Sequence, residues 1–211
     1  MTAPATSPRF GRLLVPSDIA VAAQAHLKLW LVPFLAEVER QRGLSPRTIK
    51  EPQSWEVASE FSKFDASKLP SLVVAIDEIT GDPVRDGQGE YSAVFPCAVA
   101  AIVAGRTPAE TLRNAEAYGA AVRGAMLYHM GMHSPELGIR GCKWKGESYT
   151  EVDVKDRRTK AASLVFFEIY VPDVARDYVG APLGTTPPVD PYLAPDALPT
   201  VDTTTIVTET P

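Results

Sequence analysis

The sequence is short of cysteine, of net positive charge, of histidine and of long apolar runs. Two cysteines, Cys97 and Cys142, in 211 residues cannot build a disulfide framework. They read as free thiols buried in a reducing compartment, with a bridge between them as the alternative. Lys and Arg number 21 against 26 Asp and Glu, for a net charge of -5. That balance argues against a general affinity for nucleic acid, because phosphate binding needs a basic surface. It leaves room for a local basic patch. No run approaches the roughly 18 apolar residues that span a bilayer, and the opening MTAPATSPRFGRLLVP lacks the apolar core of a signal peptide. The expectation is a soluble protein made in the cytoplasm, with no membrane partner.

The usual chemical signatures are missing too. There is no GxSxG elbow, GxxxxGK[ST] loop, GxGxxG, HExxH or CxxC pair. His129 and His133 have HxxxH spacing, but Gly131 and Pro135 break the helix that would align them, and no third ligand follows. His26 has no partner at metal spacing. Asp82 and Asp86 lie in a glycine-rich loop with Arg85 between them, without the ligand order of a calcium loop. Asp77 and Glu78 close an apolar run, and nothing nearby in sequence supplies a proton-transfer partner. No cofactor, metal or catalytic residue is expected.

What is present is a globular pattern, 45% hydrophobic and 22% charged, long enough for one domain with extensions. Residues 1–16 read as a flexible arm. Ser17 or Asp18 opens a helix whose apolar positions include Ala22, His26, Leu29 and Trp30. Pro33 is expected to kink or split it, and Gly43 to stop it. Trp55–Phe61 and Leu72–Ile79 read as strands, and TGDPVRDGQGE as a long hairpin loop. Tyr91–Ala104 is apolar on both faces, as a central strand is, but Pro96 predicts a bulge near Phe95–Cys97. Thr107–Gly131 is the clearest helix. Thr107 is its cap, Pro108 its first residue, and Glu110 stands where its carboxylate reaches back to the cap's N–H. Leu112, Ala115, Gly119, Val122, Met126 and His129 share one narrow face of mostly small residues. Such a face packs closely on a sheet or a neighbouring subunit. Arg113, Glu116 and Arg123 are left to point outward.

Ile139–Lys145 and Ser148–Val154 read as short strands about Gly146, and Asp153–Lys160 as a solvated turn. Ala161–Val171 is a strong strand closed by Pro172. From Gly180 the chain is rich in Pro and Thr, with Tyr192, Leu193, Leu198, Ile206 and Val207 as spaced apolar anchors. It cannot bury enough surface alone to offset its ordering entropy, so residues 179–211 are either a disordered tail or an extended arm that orders on a neighbour, and the spaced anchors favour the arm. The fold class is α+β: a mixed or antiparallel sheet of about four to six strands flanked by two main helices. One domain spans 17–178.

The order of elements, with the stretches KLPSLVVAID, AEAYGAAVRGAML and AASLVFFEIYV, resembles the tail terminator (tail completion) proteins of long-tailed bacteriophages. The resemblance covers residues 18–178, and Tyr118 and Arg123 match the family's helix Tyr with a following Arg. It implies a non-enzymatic virion protein of the tail or neck, synthesised in the host cytoplasm. Its partners would be copies of itself in a hexameric ring, the tail tube protein, and the head–tail connector or stopper, with DNA passing through the channel unbound. The interface candidates are Asp82, Arg85 and Asp86 in the loop, Arg113, Glu116 and Arg123 on the helix, and Tyr192 and Leu193 in the arm. The alternatives are another neck or tail component, such as a stopper or tube subunit, and a small cytosolic enzyme. Two long helical patterns tell against a tube subunit, which is expected to be all-β.

Overall fold

The computed structural model describes residues 14–58, 68–76, 79–87, 89–128, 132, 137–152 and 159–176. Two helices and six strands follow in the order α1 (Pro16–Gln41), β1 (Ser54–Ala58), β2 (Ser71–Ala75), β3 (Thr80–Arg85), β4 (Glu90–Ala104), α2 (Pro108–Leu127), β5 (Gly141–Val152) and β6 (Lys160–Arg176). The sheet runs β1-β2-β4-β6-β5, with β3 beside β4. Only β1 and β2 are parallel; the other pairs are antiparallel. The expected α+β class and mixed sheet are therefore correct. By chain contacts the protein divides into Met1–Asp177 and Tyr178–Pro211. Residues 1–13 of the expected 1–16 arm and all of the expected 179–211 arm, with Tyr192 and Leu193, lie outside the described residues, while Pro16, placed in the arm, is the first residue of α1.

β4 and β6 are apolar on both faces because they are central. Phe95, Cys97, Val99, Ala101 and Val103 join Val165, Phe167 and Ile169 in the main core beneath the helices. The alternate positions Ala100, Ile102 and Ala162 form a second buried cluster with Val73 on the reverse face. Both helices pack on the first face, α2 across β4, β5 and β6, and α1 against α2 and the β1–β2 edge.

Proline behaves differently from expectation at three places. Of the kink or split expected at Pro33, the split does not occur: α1 is one helix through it. It starts at Pro16, whose missing N–H would be unbonded at a first helical position anyway, and the Asp18 carboxylate accepts from the N–H of Val15 at 3.1 Å. No bulge forms at Pro96, which stays in register with Glu168. On its other flank β4 pairs with β3 up to Val94 and with β2 from Ala98 onward. Pro96 falls in the gap between those partners, where a missing donor breaks no ladder on that side. Pro172 does not close β6. The strand absorbs it in an irregularity, with Val171 opposite Ala93, Ala175 opposite Tyr91, and Asp173 at φ 52°. The two short strands expected about Gly146 are one strand, β5, bulged between Trp144 and Gly146.

By length and composition α1 is apolar enough to cross a membrane, contrary to the reading of the bare sequence. Its row Ile19, Ala23, Leu27, Leu31 and Leu35 is buried in the main core, as in the core helix of a globular domain.

Candidate functional site

The expected long loop after β2 is a strand and a tight turn. β3 pairs with β4, Val84 opposite Ser92 and Arg85 opposite Tyr91. Asp86 N–H donates to the Glu90 carbonyl at 2.9 Å, and the Asp86 carboxylate accepts from Glu90 N–H at 2.9 Å. Gly89 closes the turn at φ 80°, a left-handed geometry that glycine adopts without strain. Asp82, Arg85 and Asp86 therefore sit together on one hairpin. All six residues of β3 are exposed, and Val84 is 69% exposed. Behind the hairpin, Glu90 and Tyr91 pair with Arg176 and Ala175 of β6, so the end of the sheet is three strands wide.

The α2 candidates do not form one surface. Thr107 Oγ1 accepts from Glu110 N–H at 3.2 Å, but the Glu110 carboxylate reaches Arg106 N–H at 3.0 Å, one residue before the cap. Arg113 is exposed, and its carbonyl accepts from Arg42 at 3.2 Å. Glu116 is half-buried. Arg123 does not point outward: Nη1 contacts both Glu147 carboxylate oxygens at 2.7 and 2.8 Å, and the guanidinium lies 5.0 Å from the Trp144 ring centroid. A partly buried, charge-assisted pair with a stacked ring is a strong fastening, here between α2 and edge strand β5. Nearby, burial first and then hydrogen bonding to Glu147 push the Tyr149 hydroxyl up to about 12.

The small residues of α2 serve the same internal packing. A Cβ on Gly119 would stand 2.8 Å from the Tyr149 hydroxyl on β5, and one on Gly124 would stand 2.5 Å from Phe34 on α1. His26 of α1 bonds the Ala125 carbonyl at 2.9 Å, a helix-to-helix tie. Leu112, expected on the packed face, is exposed, while Thr111, Tyr118 and Ala125 are buried. The packed face is thus rotated from the expected one and broader. Tyr118 is fully buried, its hydroxyl donates to the Lys50 carbonyl, and burial drives its pKa up.

No protein-family model matches the chain, and no curated protein matches it. Among solved structures, a chain from the virion of a native gene transfer agent particle is similar, with 17% identity over 69% of this chain and 94% of that one. The TM-score is 0.38, too low to establish a common fold.

Both cysteines are free. Cys97 lies opposite Phe167 and Cys142 opposite Ile169, with β6 between their strands. Two strand spacings, roughly 9–10 Å, exceed disulfide reach. Burial pushes both thiols up, Cys142 to about 11, and Cys142 Sγ donates to the Met126 carbonyl at 3.2 Å. Raised thiols in these surroundings are poor nucleophiles. Among the described residues no group of three His, Cys, Asp or Glu is placed to hold a metal. Asp77, Glu78, His129 and His133 lie outside the described residues.

Sequence reasoning missed Glu39. It is buried, and its carboxylate accepts from Arg47 N–H at 2.9 Å and Ile49 N–H at 2.6 Å. The signal was available, since Glu39 continues the i+4 row Ile19, Ala23, Leu27, Leu31, Leu35.

Proposed function

We propose that the chain is a structural virion protein of the tail terminator kind. It would close a homo-hexameric ring on the head-proximal end of a phage tail tube, stop tube growth and present a face to the head connector. The observation that carries this reading is the β3–β4 hairpin. A strand exposed at all six positions buries almost nothing within its own chain. Ordering it costs conformational entropy, and an uncovered edge strand invites pairing. Such an element is explained by a partner that covers it. The family resemblance supplies the partner class, and its three carrying stretches fall on β2, α2 and β6, which pack around β4. Asp82, Arg85 and Asp86 would then contact the tube or line the channel. The acidic balance would let DNA slide through without adhering. The side chains described here serve to join helices to sheet, which fits an assembly protein better than an enzyme.

The test is electron microscopy of the purified protein and of particles, with a hairpin variant carrying Asp82→Ser, Val84→Ser and Arg85→Ser. Six-fold rings at the tail end are expected for the wild type. The variant should fold normally but fail to join tails to heads. A monomer throughout, or a variant that joins normally, would remove the reading.

A further inference from the structure

The face of the sheet turned away from the helices is buried at one end and open at the other. Val73, Ala100, Ile102 and Ala162 are buried there, whereas Phe166 and Tyr170, farther along the same face of β6, are each 39% exposed. Neither ring has a tall neighbour. Phe166 stands between Ala98 of β4 and Gly146 of β5, and Tyr170 between Val94 and Gly141. A Cβ on Gly146 would meet nothing within 4 Å. Between the rings, Glu168 pairs with Lys145 Nζ at 2.7 Å and accepts from the Tyr170 hydroxyl at 3.3 Å. Lys143, opposite Glu168, is exposed. The surface is therefore two aromatic ridges on a shallow floor, with the carboxylate between them already paired and a lysine beside it. We propose that it is a docking site for residues 187–201 of a neighbouring copy.

The sequence of that segment matches the surface. Alternate residues of an extended chain share a face, and the odd positions from Pro187 to Val201 are four prolines, two valines, Leu193 and Ala197. That row is wholly apolar, and Asp190 and Asp196 fall in the other row. Asp190, Ala194 and Leu198 each precede a proline, which biases them towards extended backbone, so docking costs little conformational entropy. Pro191, Pro195 and Pro199 recur every four residues, as Phe166 and Tyr170 do along β6; both spacings are roughly 13 Å in extended chains. Two successive prolines of the row therefore meet both rings, as proline-rich segments do in aromatic-lined grooves. Charge agrees. From Tyr178 onward the chain carries Asp190, Asp196, Asp202 and Glu209 and neither Lys nor Arg, and the surface offers Lys143 beside the rings. Length agrees as well. β6 ends at Arg176, and residues 177–190 span up to about 45 Å at the rise of a proline-rich chain, enough to reach another copy. One segment covers less than the roughly 1,200 Å² of a durable interface. A single contact is therefore weak, and several arms acting together are strong. The contact rests on the assembly reading for its second copy and needs no ring.

The experiment mixes two full-length variants, Ser148→Cys on β5 and an affinity-tagged Ala194→Cys, and treats them with a short thiol crosslinker beside a wild-type control. A mixed two-chain product is expected, and it should be lost when Pro191→Ser and Pro195→Ser are added to the tagged chain. Sedimentation across a concentration series should show dissociation easier by about tenfold or more in Phe166→Ser/Tyr170→Ser and in Pro191→Ser/Pro195→Ser. Both should keep the circular dichroism of the wild type, and the proline variant changes no residue of the sheet. Crosslinking only within one chain in the Ser148→Cys/Ala194→Cys double variant, or proline and aromatic variants that associate as the wild type does, would overturn the proposal. Rings that form without the mixed product would overturn it and leave the ring reading standing; docked copies that never close a ring would do the reverse. A chain that stays single would overturn both.

Discussion

Glu39 sits where the apolar row of α1 would place a leucine, and its carboxylate takes the N–H groups of Arg47 and Ile49 out of solvent. Arg47 holds φ 64°, a region a non-glycine residue occupies only when its surroundings fix it. The carboxylate therefore organises the turn that leads from α1 towards β1. Each charge-assisted bond contributes about 1.5–3 kcal/mol, and removing the acceptor leaves the buried Ile49 N–H unpaired. Glu39→Ala should lower unfolding stability by about 3 kcal/mol, and Glu39→Gln, which keeps one carbonyl acceptor, by roughly half of that. Urea unfolding with an unchanged slope would register it. A loss in Glu39→Ala no larger than that of an ordinary surface substitution, within about 0.5 kcal/mol, would show that the turn holds itself.

At the level of elements, α2 depends on having no side chain where it meets α1. A methyl on Gly124 would come within 2.5 and 2.8 Å of two Phe34 ring carbons. Phe34 cannot simply retreat, because Tyr128 lies edge-on to it at 5.6 Å. Gly124→Ala gains about 1 kcal/mol of helix propensity and incurs an overpacking cost of about 1–3 kcal/mol. The two effects are comparable, and the trapped ring decides the sign: net destabilisation is expected. Adding Phe34→Leu should recover part of it, and a double-mutant cycle by thermal unfolding would show that coupling. Additive effects would mean that the two helices do not meet there. The same elements show what was readable beforehand. The Thr107 cap, the two-faced apolar strands and the class of sheet follow from local pattern, and all are present. The β3 hairpin was not readable, because Thr80–Arg85 buries nothing and its pairing with β4 leaves no periodic trace. Arg123 was misread for a related reason: its partner Glu147 arrives on a strand 24 residues later. Pro96 misled because the gap between β2 and β3 is a property of the whole sheet.

For the molecule as a whole, the proposed division between folding and assembly runs along the chain. Among the described residues, both helices and six strands end by Arg176, and chain contacts divide the protein into Met1–Asp177 and Tyr178–Pro211. If the Pro/Thr-rich segment is an assembly arm, folding and assembly are separable by truncation. A chain ending at residue 178 should keep the circular dichroism of the full protein and unfold in one cooperative step. It should form no rings and join no tails, since the anchors Tyr192 and Leu193 are gone. The reasoning is entropic: a segment poor in apolar surface gains its ordering free energy only from a partner, so removing it costs association more than folding. Sedimentation beside thermal unfolding distinguishes the outcomes. Truncated chains that still close rings would place the subunit contacts within the α+β domain, leaving the exposed β3 hairpin as the remaining candidate. Truncated chains that fail to fold would make the last segment part of the core and move the boundary between folding and assembly upstream.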